Sequence, residues 1–141
     1  MLQVSGLEAA YGESQVLFGV DFEVGGGEMV ALLGRNGMGK STTIAALMGI
    51  LPPLGGNIQF NGQAIHRLPS YRIAQAGLGL VPEGRQIFPN LTVRENLVAT
   101  AANRTKSPAP WRVETVLDLF PLLAPRLDSP GGLLSGGEQQ M

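Results

Sequence analysis

The sequence predicts an α/β fold in which a buried strand, a glycine-rich loop and a helix follow one another directly. The apolar run 28–33 has the composition of a strand that a parallel sheet buries on both faces. A glycine-rich segment, 34–39, comes next, and a helical pattern begins near Lys40. The 20 glycines and 10 prolines lie at the junctions between periodic segments, which is typical of a domain built from many short elements.

Two segments ahead of this unit have the pattern of β-strands. They cover residues 2–9 and 15–24, with turns at Tyr11-Gly12 and at 25–27. In the second segment every other residue from Val16 to Val24 is apolar, including Phe18 and Phe22. That alternation is the period of a strand with one buried face.

The remaining elements follow in order along the chain. Helices are predicted at 40–49, 69–76, 92–103 and 111–120, strands at 57–60 and 78–81, and a turn at Asn61-Gly62. Thr92 and Glu95 have the spacing of a capping box, which is why a helix is expected to begin there. Polar loops are expected at 105–110 and 125–132.

A second capping-box pattern lies near the last residue. Ser135 and Glu138 have the required spacing, but only three residues follow Glu138. A helix with so clear a start signal is expected to continue further. We therefore expect that the chain is cut, and that exposed strand edges favour aggregation.

Composition excludes several classes of protein. The chain of 141 residues has 10 basic and 11 acidic residues, which gives no support to a nucleic-acid partner bound through a broad basic surface. It has no cysteine, so disulfides and thiolate metal sites are excluded. The single histidine, His66, lies in a polar stretch and is expected to be solvated.

The glycine-rich loop carries a specific chemistry. Residues 34–41 read Gly-Arg-Asn-Gly-Met-Gly-Lys-Ser and fit the pattern G-x-x-x-x-G-K-[ST]. Glycines let successive backbone N–H groups surround a phosphate, and the following helix adds its positive end. The sequence therefore predicts a site for a nucleoside triphosphate with Mg²⁺. Its expected contacts are Gly34, Asn36, Gly37, Gly39, Lys40, Ser41 and Thr42, with Lys40 on the β- and γ-phosphates and Ser41 also a metal ligand.

A second motif, at 134–138, decides between classes of nucleotide-binding protein. It reads Leu-Ser-Gly-Gly-Glu and, taken alone, is a common serine-capped helix start. Together with the phosphate loop, it makes the whole chain resemble the ATP-binding subunits of ABC transporters. In that family the segment is the signature motif, which usually ends in Gln where this chain has Glu138.

The resemblance implies a fold and a dimer. The fold is the P-loop NTPase of ABC type, with an N-terminal antiparallel β part, a parallel core sheet and a partial helical subdomain, incomplete at the C-terminus. It places the nucleotide-binding core at 1–88 and the helical subdomain at 89–141. In the family, each ATP lies between the phosphate loop of one subunit and the signature of the other. Ser135, Gly136 and Gly137 would thus contact a nucleotide held by a second subunit, identical or not.

Two further positions match the family. Tyr11 falls where the family stacks an aromatic ring on adenine, although a turn tyrosine can also pack on the sheet edge. Glu83 falls where most members have a glutamine that senses Mg²⁺ and the attacking water. A carboxylate can ligate Mg²⁺ but, while ionised, cannot donate a hydrogen bond. The cofactors implied are ATP and Mg²⁺, and the metal ligands are Ser41 and Glu83.

The segment after Glu83 narrows the resemblance. Pro82-Glu83-Gly84-Arg85 and the following Ile87-Phe88-Pro89 look like the smaller ATP-binding protein of branched-chain amino acid importers. The family docks a permease helix here, so Ile87 and Phe88 are the expected contacts unless both are simply core residues. This implies a peripheral protein at the cytoplasmic face of the inner membrane.

The sequence leaves alternatives open for ATP hydrolysis and for the transported solute. The family's catalytic Glu and switch His come after the signature, so we assign no catalytic residue here and expect this chain to bind ATP without hydrolysing it. The full-length subunit is expected to be an ATPase. A urea- or amide-type importer, a non-transport ABC ATPase module and a P-loop kinase or GTPase are the alternatives. The sequence lacks the Asn-Lys-x-Asp element of a GTPase, and neither a kinase nor a GTPase explains the signature. Non-transport ABC modules share both motifs but usually carry long inserts or fused domains, whereas the spacing here is compact.

Overall fold

The computed structural model describes residues 1–99, 101–103 and 107–141, which form two compact units, Met1–Leu80 and Val81–Met141. Part of the loop predicted at 105–110 lies outside the described residues. The mixed α/β class is confirmed. The predicted boundary at residue 88 stays a prediction. Within the described residues, no helix is long and apolar enough to cross a membrane.

The first unit is built on a four-stranded antiparallel sheet. Its strands are β1 (Leu2–Tyr11), β2 (Ser14–Val24), β3 (Gly55–Phe60) and β4 (Gln63–Ala64), in the spatial order β2-β1-β3-β4. Val4 pairs with Phe22 on one side and with Ile58 on the other. The predicted strands at 2–9, 15–24 and 57–60 are confirmed, as is the turn at Asn61-Gly62.

Two helices complete the core of this unit. They are α1 (Lys40–Leu47) and α2 (Ser70–Gln75), each shorter than the helix predicted there. Side chains from β1, β2, β3, the residue after β4 and both helices form one buried cluster: Val4, Leu7, Ala9, Leu17, Ala46, Leu47, Ile58, Ile65 and Ile73. His66 is half-buried and its Nδ1 has no hydrogen-bond partner among the described residues, so the expectation of a solvated side chain is wrong.

The alternation predicted along β2 is broken in its middle. Leu17 is buried and Phe18 is 74% exposed, the reverse of the expected pattern. The pairing of β1 with β2 shifts register on both sides of Glu8↔Phe18, and Gly19 has φ +84°. A bulge adds one residue to a strand and so exchanges the faces of the side chains beyond it.

The strands predicted at 28–33 and 78–81 are not formed. Met29 is 97% exposed and Leu33 is 87% exposed. A strand buried on both faces needs hydrogen-bonded neighbours and covering helices. All strand pairs named above are antiparallel, and none in the described part of the chain involves residues 28–33. The predicted parallel core sheet is therefore not present in the described residues.

The second unit is helical. It contains α3 (Val93–Ala99), α4 (Val113–Leu119) and α5 (Gly136–Gln140), with 3₁₀ turns at Pro121–Arg126 and Gly131–Leu133 where a loop was predicted for 125–132. The predicted capping box of α3 is confirmed, since Thr92 N–H donates to Glu95 Oε2 (2.8 Å) and Glu95 N–H donates to Thr92 Oγ1 (3.2 Å). The Glu95 carboxylate accepts hydrogen bonds from the Thr92 N–H and from the Thr92 hydroxyl (2.8 Å), and these two bonds hold the pKa of Glu95 below its usual range.

Candidate functional site

The glycine-rich loop adopts a conformation that only glycines allow at two positions. Gly37 has φ +84° and Gly39 has φ +83°, where a Cβ is strained. Gly39 is also buried, and a Cβ built on it would lie 2.6 Å from Leu17 Cδ2 of strand β2. The loop therefore needs glycine at 39 for two independent reasons, backbone conformation and close packing on the sheet.

Lys40 folds back over this loop. Its Nζ donates hydrogen bonds to the carbonyl oxygens of Gly34 (2.7 Å) and Arg35 (2.8 Å). An ammonium group held by two carbonyls still has a third N–H and a full positive charge. The loop thus encloses a fixed cation next to the N-terminus of α1.

Thr43 fixes the junction between loop and helix, and the motif analysis missed it. Both its N–H (2.8 Å) and its Oγ1 (2.9 Å) donate to the carbonyl oxygen of Gly39, and its side chain is buried. Threonine hydroxyls commonly bond the carbonyl four residues earlier in a helix. That spacing, Gly39 to Thr43, is the sequence signal that could have identified the contact.

The free donors of this segment fit a polyphosphate. The first N–H groups of a helix have no intrahelical acceptor. In the described structure, none of the N–H groups of Gly39, Lys40, Ser41 or Thr42 has another acceptor either. The Ser41 side chain is exposed, as Mg²⁺ ligation requires, whereas Thr42 is only 7% exposed. Asn36 is exposed at the loop turn.

Tyr11 lies in the same unit as the loop, at the end of β1. It pairs with Ser14 across the β1–β2 hairpin and is 55% exposed. Strand β2 of this hairpin contacts Gly39 through Leu17 and Val16. The fold thus brings the hairpin against the phosphate loop and leaves the ring of Tyr11 accessible.

Glu83, Ser135, Gly136 and Gly137 all belong to the second unit. Glu83 is exposed and precedes three residues with left-handed backbone, Gly84, Arg85 and Gln86. Across the described ranges, no group of three His, Cys, Asp or Glu side chains could hold a metal ion.

The second motif forms the helix start that the sequence predicts. Ser135 N–H donates to Glu138 Oε2 (2.7 Å), and Glu138 N–H donates to Ser135 Oγ (3.3 Å), which closes a capping box on α5. Hydrogen bonds from the Ser135 side chain and backbone lower the pKa of Glu138, and Arg126 at 3.7 Å adds to this. Glu138 is thus committed to the cap, which Gln at this position could also make.

The residues expected to meet a permease differ in burial. Phe88 is 52% exposed, while Ile87 is half-buried, with its Cδ1 against Gly131. The backbone of Phe88 is held at both ends by Asn96, whose Oδ1 accepts from Phe88 N–H (2.9 Å) and whose Nδ2 donates to Phe88 O (3.0 Å). These two hydrogen bonds hold the backbone of Phe88 in place, and its ring is exposed.

Comparison with known proteins identifies one family. Residues 17–141 match the sequence model of the ABC transporter family. The chain is 40% identical over 141 residues to the high-affinity branched-chain amino acid transport ATP-binding protein BraG of Pseudomonas aeruginosa. It is 36% identical to the probable branched-chain amino acid transport ATP-binding protein LivF of Archaeoglobus fulgidus. All of this chain is covered in both cases, and 60% of each relative.

Other relatives act on different cargo. The lipopolysaccharide export system ATP-binding protein LptB of Escherichia coli is 36% identical, over 99% of this chain and 58% of its own length. Among solved structures, the ATP-binding subunit of an ABC transporter superposes with a TM-score of 0.80 at 35% identity. That match covers 99% of this chain and 58% of the solved one. The chain therefore spans about 60% of the length of the curated relatives it matches.

Proposed function

Because the chain belongs to the ABC transporter family, we propose that it is the nucleotide-binding part of a subunit that powers import of branched-chain amino acids. The observation that carries the proposal is the formed phosphate loop, with Lys40 fixed over Gly34 and Arg35. A relative that is 40% identical and is a branched-chain amino acid transport ATP-binding protein supports the cargo.

The loop residues have distinct roles in the proposed site. The backbone N–H groups of Gly37 and Gly39 to Thr42 bind phosphate oxygens, and Lys40 exchanges its carbonyl contacts for the β- and γ-phosphates. The proposed ligands of Mg²⁺ are the Ser41 hydroxyl and the Glu83 carboxylate. When bound, Mg²⁺ supplies charge that neutralises the phosphates. Tyr11 stacks on adenine, and Asn36 and Gly34 line the loop.

We place the signature residues on a different nucleotide from the loop. Ser135, Gly136 and Gly137 contact the nucleotide held by a second ATP-binding subunit, so that two subunits enclose two ATP molecules. The Ser135–Glu138 capping box supports this proposal, since it fixes the start of α5. A docking surface for a permease is proposed at the exposed Phe88, with Ile87 behind it, and it would bring the subunit to the cytoplasmic face of the inner membrane.

Hydrolysis is proposed for the longer subunit and not for these residues alone. The chain covers 60% of the length of the relative BraG, which is named a transport ATP-binding protein. Glu83 and Glu138 already have other roles in the proposal, as a metal ligand and as a helix cap. The 141 residues are therefore expected to bind Mg-ATP without turning it over.

Replacing Lys40 with Ala tests the phosphate site. Loss of charge-assisted hydrogen bonds is expected to weaken ATP binding by between about 10-fold and 100-fold, measured by titration with a fluorescent ATP analogue. Arg67→Ala is the matched control, because it also removes one exposed positive charge from the first unit. Equal affinity in the Lys40→Ala and Arg67→Ala proteins would contradict the proposal.

The cargo needs a separate measurement in the complete transporter. ATP-dependent uptake of leucine into vesicles, lost in the Lys40→Ala transporter, is the expected result. Uptake of urea or an amide instead would favour the alternative importer. The 36% identity to LptB makes an exporter the second candidate, and a subunit that supports no amino acid uptake but restores lipopolysaccharide export would establish it.

A further inference from the structure

Arg85 stands out in the second unit because its backbone is strained without an evident local reason. Gly84, Arg85 and Gln86 have φ of +78°, +69° and +50°, three successive left-handed residues of which only the first is glycine. A residue with a Cβ adopts this conformation at a cost, so the surrounding structure must hold it there.

The Arg85 side chain contacts the signature motif. A Cβ built on Gly136 would lie 2.5 Å from Arg85 Nη2 and 2.8 Å from its Cζ, which shows that the guanidinium lies directly against the Gly136 backbone. Gly136 does not have positive φ. The absence of a Cβ at 136 therefore leaves room for the guanidinium of Arg85, and a side chain at 136 would displace that guanidinium.

Gln139 ties the same two segments together. Its Oε1 accepts from Arg85 Nη1 (3.4 Å), and its Nε2 donates to the carbonyl oxygens of Gly131 and Leu134, both at 3.1 Å. On its other side, Gly131 faces Ile87, whose Cδ1 would lie 3.1 Å from a Cβ at 131. The contacts from Arg85 through Gln139 and Gly131 to Ile87 close a ring between residues 85–87 and 131–139.

Arg85 has no carboxylate partner among the described residues. The ion pairs there join Arg94 to Asp128 and Arg126 to Glu138. The guanidinium is thus held by packing on Gly136 and by an amide oxygen. Its planar, forked shape suits contact with a backbone in a way that a lysine ammonium does not.

We propose that Arg85 is a positioning residue that sets the start of the signature helix α5 and couples it to the segment carrying Ile87 and Phe88. This rests on the proposed role of the signature at the nucleotide of a second subunit. A shift of the 85–88 segment moves the guanidinium against Gly136, and so changes how the signature meets that nucleotide.

The test separates nucleotide binding by one subunit from closure of two subunits. In the full-length protein, Arg85→Ala is expected to leave the affinity of the monomer for adenylyl-imidodiphosphate within about twofold, because the phosphate loop is untouched. Nucleotide-dependent dimerisation, measured by sedimentation, is expected to weaken roughly tenfold. Amide hydrogen exchange at Gly137 and Glu138 is expected to become faster.

Three further variants make the outcome decisive. Arg94→Ala, which removes an exposed arginine from the same unit, is expected to change neither quantity. Arg85→Lys is expected to lie between wild type and Arg85→Ala, and it carries the test if Arg85→Ala does not fold. Ser135→Arg is expected to abolish dimerisation.

One outcome would overturn the positioning role alone. In it, Arg85→Ala changes neither dimerisation nor amide hydrogen exchange, while Ser135→Arg abolishes dimerisation. Unchanged dimerisation in Ser135→Arg would overturn the proposed role of the signature itself, and the positioning role with it. Loss of monomer affinity in Arg85→Ala would also count against the proposal, because it would place Arg85 in the nucleotide site.

Discussion

The two halves of the segment 28–41 behave in opposite ways. The phosphate loop is fully formed, with Lys40 bonded to carbonyls five and six residues earlier and Thr43 bonded to Gly39. The apolar run just before it is in no strand or helix and is exposed. The loop is specified by contacts within a few residues and with β2, whereas the strand depends on partners distant in sequence. A nucleotide motif can therefore be in place while the sheet meant to carry it is not.

Gly39→Val is expected to lower the free energy of unfolding most, because it disrupts the phosphate loop. The variant adds left-handed strain and a steric conflict with Leu17, at a combined cost of about 2–5 kcal/mol in the free energy of unfolding. Thermal unfolding of the purified chain measures it.

Gly37→Val is the matched control for that substitution. It has the same φ within a degree but no atom within 4 Å of the added Cβ. Its expected cost is only about 1–2 kcal/mol, from strain alone. Equal losses in the two variants would show that packing on β2 does not hold the loop.

Ser135→Ala tests the capping box of α5 and should lower the stability of this helix moderately. Loss of an N-cap typically costs about 1 kcal/mol of helix stability. The variant removes the Ser135 side-chain hydrogen bond, which lowers the pKa of Glu138 most, and keeps the bond from the backbone N–H of residue 135. The pKa of Glu138 should therefore rise part of the way toward the ordinary value of 4.5, as measured by NMR titration of the carboxyl carbon.

The sign of the pH dependence follows from the same shift. The pKa of Glu138 is lowered in the folded chain, so the cap stabilises α5 above pH 4.5 and loses this contribution as the pH falls through the lowered pKa. A pKa for Glu138 that is unchanged in Ser135→Ala would contradict the capping box.

The smallest effect is expected at Met29, in the unpaired half. Because Met29 is 97% exposed, Met29→Lys should change the free energy of unfolding of the 141-residue chain by less than about 0.5 kcal/mol, while light scattering reports less aggregation. Ile58→Ala, at a fully buried position of β3, is the control and should cost about 2–5 kcal/mol. A large loss in Met29→Lys would show that residues 28–33 are paired in solution.

The features that the sequence predicted well share one property. The two capping boxes, the turn at Asn61-Gly62 and the eight-residue phosphate loop are each encoded in a short stretch of sequence, so spacing alone identifies them. The features it missed depend on distant contacts. The bulge where β2 pairs with β1 decides on which side of the sheet the Phe18 side chain lies. The predicted strand at 28–33 needs neighbouring strands in a sheet. Arg85 meets Gly136 and Gln139 across 50 or more residues, and no local pattern marks such a pair.

The side-chain conformation of Lys40 affects the entropy of nucleotide binding. A free lysine side chain loses up to about 2 kcal/mol of rotamer freedom when it is immobilised. Here hydrogen bonds to the carbonyl oxygens of Gly34 and Arg35 restrict the side chain, so part of that loss is incurred on folding. In the proposed site, a nucleotide would exchange these carbonyl oxygens for phosphate oxygens around the same ammonium. Lys40 would then contribute to affinity through the difference between a carbonyl and a phosphate oxygen as partners for one cation.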